Sequence, residues 1–476
     1  MLEVLLGKQR ATSRRRLLQA GGSGLLGLNL PRLLAAESQQ NQPRARAKSV
    51  IFLFLFGGPS QLETFDMKPD APSKIRGPFQ PIASRTSGLR ISEHLGRTAQ
   101  VSDKFAVIRT MTHSYNDHSG AGHYIQTGRR WQVPIGGGFA ATSKDWPSLG
   151  SVVEYLAQHD TGGRRQSLPS YICLPNWLGA LQEEGQYRRP GQYAGWLGSG
   201  FDPLNTDIQK KNVDDNPYWR DCSDDELHFA IQGLVRQKQL PLQRLNQRKS
   251  LLEQFDHQLE SIEQNRQVEA LDQFKRRAIE LVTSDRTRQA LDIRREPGKL
   301  RDLYGRHLYG QSCLMARRLV EAGVRFVTVH YDCVDGYSWD SHRSSRHLEK
   351  QLIPTFDQAY SALLSDLEAR GLLDETLVVA VGEMGRTPVA NDAWGRGHWS
   401  TLFPALLAGA GVRGGALYGQ SDKHAEYPVD NPTSPEDLAA TIYHTLGIDP
   451  RLRLPDPQGR PVDIVQGGTP IEAIFG

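Results

Sequence analysis

Histidines, carboxylates and a serine recur in short polar loops that directly follow apolar runs, and these are the residues whose types could do chemistry. Phe105 to Arg129 passes from an apolar strand into Asn116-Asp117-His118-Ser119-Gly120, then into a short helix closed by Thr127-Gly128-Arg129. The first amides of a helix have no intrahelical partner and carry partial positive charge. A phosphate- or sulfate-like group is therefore favoured there, beside His118 or Ser119. Taken alone, the segment reads equally as a surface loop with solvated histidines. Two further regions shift that balance. Gly382-Glu383-Met384-Gly385-Arg386 follows the run Thr376 to Val381, with Gly395-Arg396-Gly397-His398-Trp399 close behind, and Trp339-Asp340-Ser341-His342 follows the run Arg325 to Tyr331. In an open α/β sheet, ligands bind outside the carboxyl ends of the strands, so loops far apart in sequence can converge on one pocket. Asp, Glu and His are the oxygen and nitrogen ligands that divalent zinc or manganese accepts. Gly57-Gly58-Pro59-Ser60 ends the first apolar run, and such a turn either lets backbone approach a ligand or simply ends a strand. Ser60, Thr64 and Asp66 join the candidates on that basis.

The elements that must position these loops are legible as strands and helices in alternation. Val50 to Phe56 is a continuous apolar run, as expected of a central parallel strand covered on both faces. Further strands are expected at Phe105 to Arg109, Ser170 to Leu174, Arg325 to Tyr331, Thr376 to Val381 and Ala405 to Ala408. Pro354 to Arg370 places Phe356, Tyr360, Leu363, Leu364 and Leu367 on one helical face, with Gly371 as the stop. Ser434-Pro435-Glu436-Asp437 supplies a cap, a first-turn proline and two acids for a helix ending at Gly447. From about Asp224 to Leu308 the chain is rich in Gln, Arg, Glu and Leu at helical spacing and poor in glycine. Leu251, Leu252, Phe255, Leu259 and Ile262 make one stripe there, which predicts a long helical insertion. Between Trp131 and Asp221, frequent Gly, Pro, Trp and Tyr predict irregular loops at the pocket rim.

With 476 residues, the chain can bury a large core, and one α/β domain with insertions is expected. A net charge of +4, with charged residues making up 23% of the chain, is too small and scattered an excess to imply a nucleic-acid partner. Cys173, Cys222, Cys313 and Cys333 show no zinc-type spacing and read as buried thiols or at most one or two disulfides. Ser13-Arg14-Arg15-Arg16-Leu17-Leu18, a Gly- and Leu-rich run and Ala35-Ala36 read as a twin-arginine signal over residues 1–36, implying the Tat export machinery as a partner and a periplasmic or extracellular destination. The run is too short and glycine-rich for a permanent membrane span. Residues 37–48 read as a linker and 49–476 as the mature domain.

These pieces together resemble a widespread exported bacterial family, domain of unknown function 1501. The resemblance is carried by GGPSQLETFD at Gly57 to Asp66, NDHSGAGHYIQTGR at Asn116 to Arg129, and YGQSCLMARRLVEAGVRFVTV at Tyr309 to Val329, together with WDSH, GEMGRTP and GRGHW. That family is similar to the alkaline phosphatase and sulfatase superfamily, whose core is a mostly parallel sheet flanked by helices with metal at the strand carboxyl ends. The resemblance implies metal-assisted hydrolysis of an anionic phosphate or sulfate ester, small-molecule or glycan, with zinc or manganese as the expected ion and calcium also admissible. It places Asp340, His342 and His398 as metal ligands, with Glu383 as ligand or base. Ser119 paired with His123, His118, or a metal-bound water would be the nucleophile, and Arg386 or Arg129 would neutralise the substrate. Two departures stand out: Met384 follows Glu383 where a histidine is usual, and Gly57-Gly58 stands where an aspartate ligand is usual. They leave a second metal site open to question and admit an alternative, a non-catalytic protein that binds a glycan or a partner. No cysteine precedes Cys173, which argues against a formylglycine sulfatase.

Overall fold

A computed structural model describes residues 43–131, 140–159, 168–181, 187–212, 214–229, 231, 285–331 and 338–476. Its centre is an eight-stranded sheet. The strands are β1 (Ser49–Phe54), β2 (Phe105–Met111), β3 (Tyr171–Leu174), β4 (Leu204–Asn205), β5 (Phe326–His330), β6 (Thr376–Val381), β9 (Phe403–Ala408) and β10 (Leu417–Tyr418), with a small hairpin of β7 (Gly385–Arg386) and β8 (His398–Trp399) standing apart. Their spatial order is β10-β2-β9-β6-β1-β5-β3-β4. Strand β9 runs antiparallel to both its neighbours, and every other pairing in this sheet is parallel.

Strand β1 is buried along its whole length, which is why its sequence is unbroken apolar rather than alternating. Ile51 and Leu53 face a layer containing α3 (Leu308–Glu321) and α4 (Ile353–Ala369), packing in one cluster with Leu314, Leu319, Phe356 and Leu363. Val50, Phe52 and Phe54 face the other layer, where Ile125 of α1 (His118–Thr127), Val152 and Val153 of α2 (Leu149–His159) and Leu438 and Ile442 of α5 (Pro435–Thr445) close over them. Full burial of each such side chain contributes about 1.5–3 kcal/mol relative to exposure.

Helix ends follow their caps. Ser434 and Asp437 form the reciprocal capping box of α5. Helix α4 stops at Arg370, followed by Gly371 at φ +67°. Cys173, Cys222 and Cys313 are buried free thiols, whereas Cys333 lies outside the described residues.

Several expectations need amending. Helix α2 lies where irregular loops were expected. Ser148 Oγ accepts from Ser151 N at its start, and a Cβ on Gly150 would stand 2.4 Å from the Tyr171 ring, so the glycine that weakened the pattern is what lets the helix lie close on β3. Within the expected insertion, residues 224–227 form a turn and Asp285–Leu291 is helical, while residues 232–284, with the Leu251 to Ile262 stripe, fall outside the described residues. Immediately before β1, the Arg46 and Ala47 amides donate to Thr445 O, while residues 37–42 of the expected linker lie outside the described residues. The signal segment lies outside the described residues, and among those described no helix is long and apolar enough to cross a membrane.

Candidate metal centre

One edge of the sheet collects the polar loops. Strands β1, β2, β5 and β6 end there and lead to Gly57, His118, Asp340 and Glu383 respectively. Because β9 runs the opposite way, its amino end reaches the same edge, and the β7/β8 hairpin that precedes it pairs His398 with Arg386 in register.

Asp340 is the hub. Its Oδ2 lies 3.2 Å from His118 Nε2, and its Oδ1 lies 3.0 Å from His342 Nε2 and 3.3 Å from His398 Nε2. The two Nε2 atoms of His342 and His398 are themselves 2.9 Å apart. Ligand atoms of His118, Asp340 and His398 all fall within 4.8 Å of one another, the spacing of a shared cation. Outward-facing nitrogens fix the tautomers. His398 Nδ1 faces Asn116 O at 2.7 Å and His118 Nδ1 faces Glu383 Oε1 at 2.6 Å. A neutral ring therefore carries its proton on Nδ1 in both and turns the Nε2 lone pair to the centre. His118 Nε2 is buried and lies 3.2 Å from Asp340 Oδ2 without hydrogen-bond alignment, so the two groups face each other where a cation would satisfy both once the ring has given up its Nε2 proton. The donor set fits a divalent metal.

Burial would lower the His118 pKa, but the contacts with Asp340 and Glu383 overcome it and raise it to about 9. Burial would raise Asp340, but His118, His398 and Arg386 hold its carboxyl far below the usual range. Burial lowers His342, partly opposed by Asp340.

Around this hub stands a supporting layer. The Gly57 amide donates to both Glu383 oxygens, at 2.9 and 3.2 Å, and His113 Nε2 lies 2.7 Å from Glu383 O. Glu383 thus orients His118 through its Nδ1. Gly57, at φ +107°, lets that amide come so near, because a Cβ there would stand 2.5 Å from Asp340 N. Arg386 is fully buried: Nη2 lies 2.5 Å from Asp340 Oδ1 and also donates to Gly57 O, and Nε donates to Gly58 O at 3.0 Å.

The structure brings together His118, Asp340, His342, Glu383, Arg386 and His398 of the residues picked from sequence, and leaves others elsewhere. Ser119, in the first turn of α1, is 2% exposed. His123 is fully buried farther along α1 with Nδ1 3.1 Å from Arg129 O, and burial lowers its pKa to about 4. Arg129 follows the carboxyl end of α1 and stacks 4.3 Å over Trp146, while its Nη1 donates to Gln466. Gly128 takes the left-handed φ of +64° that ends α1, and Thr127 caps the end by donating to His123 O, so this tripeptide is a helix terminus. Ser60 is buried at the start of a 3₁₀ turn, its carbonyl accepting from Thr64 Oγ1, and Asp66 pairs with Lys68. Asn116 was not singled out from sequence. Its carbonyl faces His398 and its Oδ1 accepts from Ser400 N, and a backbone carbonyl leaves no mark in residue type.

Fold and site define an α/β protein with a His/Asp centre at the carboxyl edge of a mostly parallel sheet. The chain belongs to the family described as Protein of unknown function (DUF1501), which it matches over residues 47–475. No curated protein matches the sequence. Among solved structures it is similar to a phosphonate monoester hydrolase from Silicibacter pomeroyi, with 10% identity, a TM-score of 0.40 and coverage of 90% of this chain and 76% of that one. It is also similar to the PsFucS1 sulfatase from Pseudoalteromonas sp., with 11% identity, a TM-score of 0.35 and coverage of 88% and 70%. An alkaline phosphatase from the Antarctic bacterium TAB5 shares 12% identity at a TM-score of 0.32, covering 81% of this chain and 96% of that one.

Proposed function

We propose that this protein is an exported, metal-dependent hydrolase of phosphate or sulfate esters. The observation that carries the reading is the convergence of His118 Nε2, the Asp340 carboxylate and His398 Nε2 within 4.8 Å, each imidazole held by a partner on its Nδ1. His342 completes the ligand set from the more open side, its side chain 47% exposed. A zinc or manganese ion held there supplies Lewis-acid polarisation of an ester oxygen and lowers the pKa of water. Both ring nitrogens of His118 face carboxylates and Ser119 is buried, so water is the nucleophile this reading requires. The amino end of α1 starts at His118 and favours an anionic group beside the centre. Arg386 balances Asp340 and does not reach substrate.

The test is metal analysis of the purified protein alongside hydrolysis of aryl phosphate mono- and diesters and aryl sulfates. Near-stoichiometric zinc or manganese, lost in Asp340→Ala and His398→Ala together with turnover, is the expected result. A protein that stays metal-free after incubation with either ion would sink the reading. Two observations favour a second reading, a metal-containing protein that binds a glycan or partner without turnover: Ser119, one of the candidate nucleophiles, is buried, and Arg386 is fully engaged. Metal-dependent ligand binding with no hydrolysis of any ester class would select it. Export rests on the Arg14-Arg15-Arg16 signal pattern. Its test is cell fractionation of the full chain beside an Arg15→Lys/Arg16→Lys variant, and an unchanged distribution would refute it.

A further inference from the structure

We propose that the centre takes a single divalent cation and that the guanidinium of Arg386 fills, as a permanent cation, the place a second ion would need. This rests on the metal reading above and adds to it a stoichiometry and a role for Arg386. Paired catalytic ions stand about 3.5–4 Å apart, and here the carboxylate positioned to be shared between two is Asp340. Its Oδ2 faces His118 and its Oδ1 faces His342 and His398 at 3.0 and 3.3 Å, but the same Oδ1 also lies 2.5 Å from Arg386 Nη2.

On the arginine side, the oxygens are Asp340 Oδ1, Gly57 O, Gly58 O and, at 3.4 Å from Nη1, Arg396 O. Carboxylate plus backbone carbonyls is the set a hard cation accepts. A fully buried guanidinium already holds it, fixed at its own backbone by Gln61, whose Oε1 accepts from Arg386 N at 3.0 Å and whose Nε2 donates to Arg386 O at 2.8 Å. Expelling that arginine would strand a buried charge, which is strongly unfavourable. Neither Gly57 nor Gly58 could carry a side-chain ligand. A Cβ on Gly57 would stand 2.5 Å from Asp340 N, and one on Gly58 would stand 2.6 Å from Met384 O. Glu383, the remaining acid, is held by the Gly57 amide and His118 Nδ1. Arg386 is thus a positioning residue that keeps Asp340 aligned whether or not metal is bound.

The experiment is calorimetric titration of the chelator-treated full-length protein with zinc or manganese, with metal analysis of the product, on wild type, Asp340→Ala, Arg386→Lys and Arg386→Ala. One equivalent in wild type and in Arg386→Lys, lost in Asp340→Ala, is expected. Arg386→Ala opens an oxygen-lined vacancy and is expected to take up a further equivalent of calcium at millimolar concentration, with a calcium-dependent rise in Tm that wild type lacks. Two equivalents in wild type, both lost in Asp340→Ala, would overturn this inference while leaving the metal reading intact. A folded Arg386→Ala that takes up no additional ion would also overturn it. No binding in wild type would overturn the metal reading and this inference with it. If Arg386→Ala does not fold, the wild-type stoichiometry decides between one ion and two.

Discussion

Gly57→Ala tests whether the first strand's turn builds the centre. The residue sits at φ +107°, a conformation that side-chain-bearing residues rarely adopt, and the added methyl would stand 2.5 Å from Asp340 N and 2.9 Å from two backbone atoms of Trp339. Holding a non-glycine residue in such a region costs about 1–3 kcal/mol. Forcing a methyl group into closed packing adds about 1–3 kcal/mol more, since the atoms it meets are backbone and cannot rotate away. A loss of about 2–6 kcal/mol is expected, against the roughly 5–15 kcal/mol by which native proteins are typically stable. The strain falls on the amide that holds Glu383 and on the loop that carries Asp340, so metal affinity should fall together with stability. Urea unfolding with and without zinc, plus metal analysis of the folded fraction, reads both. A variant within about 0.5 kcal/mol of wild type, the range of ordinary surface substitutions, that keeps its full metal content would refute the reasoning.

Three further outcomes follow from the same geometry. Glu383→Gln removes the charge behind His118 Nδ1 and should weaken metal binding roughly ten- to a hundredfold, as loss of such outer partners does; unchanged affinity by titration would count against the orienting role. In the metal-free protein, His118 is raised to about 9 and is protonated at neutral pH, so binding at Nε2 must displace a proton. Apparent affinity should therefore rise about tenfold per pH unit below that value and level off above it, and calorimetry at pH 7 in buffers of different ionisation enthalpy should find about one proton released per ion, with zero disproving the assignment. Arg129→Met loses the stack on Trp146 and the bond to Gln466, which should lower stability by about 1–3 kcal/mol while leaving metal affinity as it was; a drop in affinity would place Arg129 back at the centre.

The strands were legible because burial on both faces removes any need for polar alternation, and runs such as those at β1 and β6 then stand out. The direction of β9 was not legible, since its pattern is the same either way and only its partners β2 and β6 decide it. At the site, residue type alone marked the histidines and Asp340, but could not tell a ligand from the group behind a ligand. Glu383 and Arg386 carry the charges expected of a ligand and a substrate-binding cation; in the structure Glu383 Oε1 lies 2.6 Å from His118 Nδ1 and Arg386 Nη2 lies 2.5 Å from Asp340 Oδ1. The Thr127-Gly128-Arg129 signature was visible for a more ordinary reason. A Cβ on Gly128 would stand 2.4 Å from Ala439 Cβ, so glycine is required where α1 ends against α5.

The reversed strand β9 also has a consequence for how the chain acquires its centre. Strand β9 slots between β2 and β6, pairing Phe403 with Met111 across most of the polypeptide, and it brings His398 with it. Until that late segment has been synthesised and inserted, His118 and Asp340 wait on an incomplete sheet, and long-range pairings of this kind are the slow ones. A chain truncated before Phe403 would contain all six grouped side chains and all of the early motifs, yet have no strand to hold the hairpin in place. Ion capture would then be among the last events in maturation, and a filled centre would certify that the whole sheet had closed.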